Sequence, residues 1–269
     1  MKEIKYIKEA YFYNITLAIS IIFCLFIIGG CQEEEDTNRF SNFSFLSPES
    51  DLITTSTSEL SENDLIVISE AFQRLSIDTK NGLFHINESS GSQINISEKL
   101  FTFFKRIEST TNARIKLSGN QYVKAIVESR KKEQGDTLQN DCVARTIIAI
   151  AKDLGEPLPL LQVTDWIERQ FGKEGVPGSA LSSVLDHFFT KRRITTLPTS
   201  YKCGDTTTRI FGVLKLSPNA GHAVIIINIS NGFVLYRDDQ NSNMNACMIS
   251  EIGNAYIISE VNADIIYNL

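Results

Sequence analysis

The stretch that decides the fold is GHAVIIINISNGFVLYRDD, residues 221–239. Residues 223–229 are mostly β-branched and apolar, which is typical of a buried strand. Asn231-Gly232 then predicts a tight turn, and residues 233–236 predict a second strand that pairs with the first as a hairpin. Such a hairpin returns the end of its second strand to the neighbourhood of His222, the residue that opens the first.

Acidic and amide side chains stand at that returning end. They are Asp238, Asp239 and Asn241. A carboxylate beside an imidazole accepts a hydrogen bond from it, fixes its tautomer and stabilises its protonated form. A plain acidic turn is the competing interpretation, because these residue types form turns readily. The hairpin favours the first interpretation, so we expect Asp238 to orient His222, with Asp239 as the reserve for that role.

A candidate nucleophile lies upstream, in QNDCVART, residues 139–146. The apolar residues that follow predict a helix with Asn140 or Asp141 as its N-cap, which puts Cys142 in the first turn. Backbone N–H groups and the helix dipole favour the thiolate there, and the thiolate is the reactive form of cysteine. A buried structural cysteine is the competing interpretation.

These residues resemble the papain-like cysteine peptidases, in which a cysteine at a helix start is followed by a Gly-His that opens a strand and by an aspartate one hairpin later. Asp141-Cys142 and the interval from His222 to Asp238 are most similar to the compact branch that trims bacteriocin leaders after double glycines. The resemblance runs from about residue 138 to the C-terminus. It implies an α+β papain-like domain with Cys142 as nucleophile, His222 as general base and acid, and Asp238 as orienter, acting through a thioester on a peptide or protein substrate.

The sequence departs from that family at two positions. Those peptidases place a glutamine further upstream of the cysteine than Gln139, which precedes Cys142 by three residues and is the candidate oxyanion donor here. Val143 also stands where the leader-trimming branch commonly has glycine. The residues do not choose between a peptidase, an amidase and a transpeptidase. A lipid-anchored binding protein that uses the same scaffold without turnover is the alternative from a different class.

The N-terminus has the features of a secretory signal. Three lysines among the first eight residues precede an apolar run, 17–28, that is too short to cross a hydrocarbon core of about 30 Å. Residues 28–31, Ile-Gly-Gly-Cys, resemble the lipobox of bacterial lipoproteins, which implies cleavage before Cys31 and a lipid on that cysteine. An uncleaved anchor is the alternative.

We expect four parts: a signal peptide, 1–30; the lipidated cysteine with an acidic and Ser/Thr-rich linker, 31–58; a small, mostly helical domain, 59–132, as prosegment or docking module; and the papain-like domain, 136–269. The acidic run after Cys31 is a solvated spacer in one interpretation. In the other it resembles the surface-export signal of Bacteroidetes lipoproteins. The predicted location is the cell envelope, with a lipid anchor in the outer membrane on its periplasmic or surface face.

Periodicity places further elements along the chain. Apolar residues at helical spacing predict helices after Ser61 and Ser97, around 122–126, after Pro159 and over 179–189. Further strands are predicted over 209–216, 247–249 and 255–261, so helices come first and an antiparallel sheet last.

Composition excludes some function classes. The formal net charge of −6 and the small size of the basic clusters argue against a nucleic-acid partner. Histidine and cysteine occur singly, without ligand spacing, so we expect no metal site and no other cofactor. Apart from the signal peptide and the lipidated cysteine, the thiols are Cys142, Cys203 and Cys247. Cys203 and Cys247 are a candidate disulfide, which the sequence leaves open because it gives no Cα separation.

Overall fold

The computed structural model describes residues 60–117, 141–173, 175–217 and 220–268, which all belong to one compact unit. The signal, Cys31, the acidic linker, the predicted helix around 122–126 and Gln139 lie outside the described residues. So do the predicted domain boundaries, which therefore stay predictions. The helices are α1 (Glu62–Arg74), α2 (Glu98–Lys116), α3 (Cys142–Asp153), α4 (Leu160–Phe171), α5 (Leu181–Phe188) and α6 (Ala263–Asn268). The strands are β1 (Ile77–Lys80), β2 (Leu83–Ile86), β3 (Phe189–Ile194), β4 (Tyr201–Lys202), β5 (Arg209–Ser217), β6 (Ala220–Ser230), β7 (Phe233–Asp238), β8 (Asn243–Met248) and β9 (Ile252–Val261).

The predicted helix starts in the front region are confirmed. The Ser61 hydroxyl accepts the N–H of Asp64, and the Asp64 carboxylate accepts the N–H of Ser61, so α1 begins with a capping box. The Ser97 hydroxyl accepts the N–H of Leu100 and caps α2 in the simpler way. Both helices bury one apolar face, and the hairpin of β1 and β2 lies against α2.

In the described part of the chain, seven strands form one antiparallel sheet in the order β3-β9-β5-β6-β7-β8, with β4 paired to β6. The structure therefore confirms an α+β fold with a helical front part and an antiparallel sheet. The core contains the fully buried β6 residues Val224, Ile226 and Ile229. Helix α3, which begins at Cys142, packs against β6, as does α1 from the front region.

A β-bulge interrupts the pairing of β6 with β7. Ile226 lies opposite Tyr236, while Asn228 lies opposite Leu235, so Ile227 is the extra residue. The carbonyl of Ile227 accepts the N–H of Cys203 at 2.9 Å, beside β4, and the hydroxyl of Ser69 at 3.2 Å. A side chain of α1 thus contacts the backbone of β6 at the bulge.

Polar side chains of α2 also contact the β8 edge of the sheet. Thr111 of α2 exchanges hydrogen bonds with the backbone of Ala246 in β8. Arg114 donates to Glu251 at 2.8 Å and to the Ala246 carbonyl at 3.5 Å, and only 8 % of its side chain is exposed. Because buried polar groups need partners, these contacts fix the position of α2 on the sheet.

No helix within the described ranges is both long enough and apolar enough to cross a membrane.

Candidate active site

The predicted hairpin forms and brings His222 to Asp238. Asn231 and Gly232 have φ angles of +53° and +81°, the left-handed conformations of a two-residue turn, and Ser230 pairs with Phe233 across it. Nε2 of His222 lies 2.8 Å from Oδ2 of Asp238. The two groups form an ion pair when the imidazole is protonated.

The four-residue turn after β7 holds the Asp238 carboxylate in place. Oδ1 accepts the backbone N–H groups of Gln240 at 3.0 Å and Asn241 at 3.2 Å, and Oδ2 accepts the side-chain amide of Asn241 at 2.6 Å. Asp238 is completely buried. A buried carboxylate with this many donors stays ionised in one orientation, which is what an orienting residue needs.

Cys142 is the other side-chain partner of His222. It is the first residue of α3, and its thiol is one of the groups that raise the pKa of the imidazole. Because Nε2 lies against Asp238, Nδ1 is the ring nitrogen left for the thiol. Cys142 is partly exposed, whereas His222 is 3 % exposed, so Cys142 is the residue of the group that solvent reaches.

The charges of the site act against the effect of burial. Burial lowers the pKa of His222, but the Asp238 carboxylate and then Cys142 raise it more, so the pKa lies above its ordinary value of 6.5. Burial raises the pKa of Asp238, but His222 and Asn241 lower it more, so the net shift is downward. Both shifts favour an imidazolium next to a carboxylate.

Asp239, the reserve orienter, is engaged elsewhere. Its carboxylate lies 2.9 Å from Nε of Arg237, which is 3 % exposed, and another nitrogen of the same guanidinium lies 3.0 Å from Asp153 at the end of α3. The structure therefore brings Asp238, and not Asp239, to His222. Sequence reasoning did not identify Arg237, although a lone arginine within an apolar strand was a signal that it is paired.

Asp141 is the N-cap of α3 by position, but its side chain does not cap the helix. Instead, Oδ2 lies 2.5 Å from Nε of Arg145, and Oδ1 accepts the side-chain amide of Gln240 at 3.1 Å. Sequence reasoning missed the contact with Gln240, since the two residues are 99 positions apart. The candidate oxyanion donor Gln139 lies outside the described residues.

The candidate disulfide was wrong. Cys203 and Cys247 are free and buried. Cys247 pairs with Val234, which pairs with Ile229, which pairs with Tyr201, two residues before Cys203. Three interstrand spacings of about 4.8 Å therefore separate the two cysteines, well beyond the Cα separation of about 7 Å that a disulfide tolerates.

The other two histidines have structural contacts. Nδ1 of His85 lies 3.0 Å from Glu108 in α2. His187 stacks on Trp166 with ring centroids 4.0 Å apart and ring planes 8° from parallel. Burial lowers the pKa of His187, which favours the neutral ring in this stack.

Across the residues that the structure describes, no group of three or more His, Cys, Asp or Glu side chains is arranged to hold a metal ion. No family model matches the chain, and no curated protein matches it at a significant level.

Proposed function

We propose that the protein is a cysteine peptidase of papain-like fold, in which Cys142 is the nucleophile, His222 the general base and acid, and Asp238 the orienting carboxylate. The observation that carries the proposal is the buried His222 imidazole against the buried Asp238 carboxylate, with the partly exposed Cys142 among the groups that act on that imidazole. A nucleophile, a base within hydrogen-bonding reach and a third group that orients the base are the requirements of nucleophilic acyl transfer.

In the proposed reaction, the Cys142 thiolate forms a bond to the carbonyl carbon of the substrate, and the carbonyl electrons move to oxygen. The His222 imidazolium then gives its proton to the amide nitrogen, the C–N bond breaks and a thioester remains. Water, deprotonated by His222, attacks the thioester and releases the acid and the thiol. An amidase or transpeptidase would use the same first step with a different substrate or acceptor.

The location is proposed from the sequence alone. A lipid on Cys31 would hold the protein in the outer membrane, and the residues up to 58 would separate the body from the bilayer. Peptides or proteins of the envelope, or of its surroundings, would then be the substrates.

Reactivity of the thiol is the first test. We would treat the full chain in detergent with iodoacetamide between pH 5 and 9 and map the alkylated cysteines by mass spectrometry. An activated Cys142 should label at pH 6 at least about tenfold faster than the same residue in His222→Ala, which should follow the pH dependence of an ordinary thiol. His85→Ala is the matched control, because His85 lies on Glu108.

The reaction class needs a second assay. Wild-type protein and Cys142→Ser should be incubated with a peptide library of mixed sequence, and new peptide termini identified by mass spectrometry. Cleavage by the wild type alone would support a peptidase, while a reactive thiol without cleavage would favour the amidase or transpeptidase. If Cys142 labels no faster in the wild type than in His222→Ala, the triad is excluded and the binding-protein interpretation takes its place.

A further inference from the structure

We infer that Gln240 is a positioning residue, which joins the turn that holds Asp238 to the start of the helix that carries Cys142. This inference rests on the proposed function. Its basis is the hydrogen bond from Nε2 of Gln240, two residues after Asp238, to Oδ1 of Asp141, directly before Cys142, at 3.1 Å.

At the start of α3, this hydrogen bond determines where the negative charge of the Asp141 carboxylate lies. Asp141 is 5 % exposed and directly precedes Cys142, and an N-cap carboxylate ordinarily accepts N–H groups of the first helical turn. Here Gln240 binds one oxygen and Arg145 the other, and the side chain makes no capping bond. The carboxylate is thus held apart from the backbone N–H groups beside the sulfur, and its negative charge is offset by Arg145.

After the hairpin of β6 and β7, Gln240 also helps to hold the Asp238 carboxylate in place. The backbone N–H of Gln240 donates to Oδ1 of Asp238 at 3.0 Å, while its side chain reaches Asp141. One residue therefore contacts the orienting carboxylate through its backbone and the nucleophile helix through its side chain. The contacts join the start of α3 to the imidazole, from Asp141 beside Cys142 through Gln240 and Asp238 to His222.

Connected contacts of this kind fix the position of the imidazole relative to the start of α3, where Cys142 lies. Displacement of a reacting group by about 1 Å can cost on the order of 100-fold in rate, so loss of one contact should be measurable without unfolding the protein. The reaction of Cys142 would develop negative charge near the start of α3, where the Asp141 carboxylate lies. The contact with Gln240 explains why this carboxylate is tolerated directly before Cys142.

The test exchanges the amide of Gln240 and the carboxylate of Asp141 between the two positions. Gln240→Glu sets a carboxylate against Asp141, whereas Gln240→Glu combined with Asp141→Asn restores one carboxylate and one amide in exchanged positions. We would measure the rate of Cys142 alkylation by iodoacetamide at pH 7 in the full chain for the wild type, both single variants and the double variant. Gln170→Glu, at an exposed position of α4, controls for the added charge, and thermal unfolding shows that each variant is folded.

We expect Gln240→Glu to slow alkylation of Cys142 by roughly 10- to 100-fold, and the double variant to recover to within about threefold of the wild type. Gln170→Glu should leave the rate unchanged. A folded Gln240→Glu protein with the wild-type rate, or a double variant as slow as the worse single variant, would overturn the role of Gln240 alone. A wild-type Cys142 that reacts no faster than in His222→Ala would overturn the proposed function and this inference with it.

Discussion

Asn228 links the front of the chain to the centre of the sheet, so replacing it tests whether α1 is an integral part of the body. Its side chain is fully buried and donates to Ser69 twice, to the carbonyl at 3.0 Å and to the hydroxyl at 2.9 Å. Asn228→Ala removes two bonds of about 1 kcal/mol each and leaves a buried carbonyl short of a donor, at a further 1 to 3 kcal/mol. We therefore expect a loss of about 3 to 5 kcal/mol in the free energy of unfolding, or a melting temperature lower by about 6 to 20 °C for a protein of this size.

The assay is urea unfolding of wild type, Asn228→Ala, Ser69→Ala and the double variant. Because the two side chains share one network, the double variant should lose less than the sum of the single losses, with a coupling of about 1 kcal/mol. Asn254→Ala is the matched control, since that strand asparagine only receives an exposed bond from Arg193 and should cost less than about 0.5 kcal/mol. A cost below about 1 kcal/mol for Asn228→Ala, or strict additivity in the cycle, would refute the reasoning.

Two further predictions concern backbone geometry and pH. Gly204→Ala should lower the free energy of unfolding in urea by about 1 to 3 kcal/mol. The reason is that φ is +96° at this position and an added Cβ would lie 2.5 Å from Cγ1 of Ile66. An unchanged free energy of unfolding would contradict this prediction. Since the pKa of His222 is raised on folding, its ionic contribution is complete below about pH 6.5 and is lost as pH rises through the folded value. The stability advantage of the wild type over His222→Gln should therefore decrease between pH 6.5 and 9, and a constant or growing difference would exclude the pairing.

The sequence contained enough to predict the elements that carry the site. Period-3.6 and β-branched patterns are local, and the Asn-Gly turn accepts positive φ at both positions, so the helices and the hairpin around His222 followed without knowledge of the tertiary structure. The helix start at Cys142 followed in the same way. The contact between that helix and the hairpin did not follow, because it depends on how α3 packs across β6.

Competition between polar partners explains the remaining differences. The sequence predicts a capping role for Asp141, but a capping bond is worth only about 1 kcal/mol, and a charged partner four residues along the helix together with the half-buried amide of Gln240 outweighs it. Asp239 was the reserve residue for orienting His222, but its carboxylate pairs with Arg237 instead. The pairing of Cys203 with Cys247 required strand order, which residue spacing does not contain.

The bulge at Ile227 decides which of two adjacent aspartates meets the histidine. An unbroken ladder from the Asn-Gly turn would place residue 225 opposite Asp238 and residue 224 opposite Asp239, and opposite residues share a face of the sheet. His222 shares its face with residue 224, so an unbroken ladder would have presented Asp239.

With one extra residue in β6, Ile225 lies opposite Arg237, and the next pair places Asp238 opposite residue 224, on the face of His222. The same shift puts Arg237 on the other face, where it reaches Asp153. The bulge carbonyl is satisfied by Ser69 and the backbone of Cys203, and Asn228 beside it binds Ser69. The front helix therefore contributes to the register on which the proposed triad depends, which argues against a prosegment that is removed on activation.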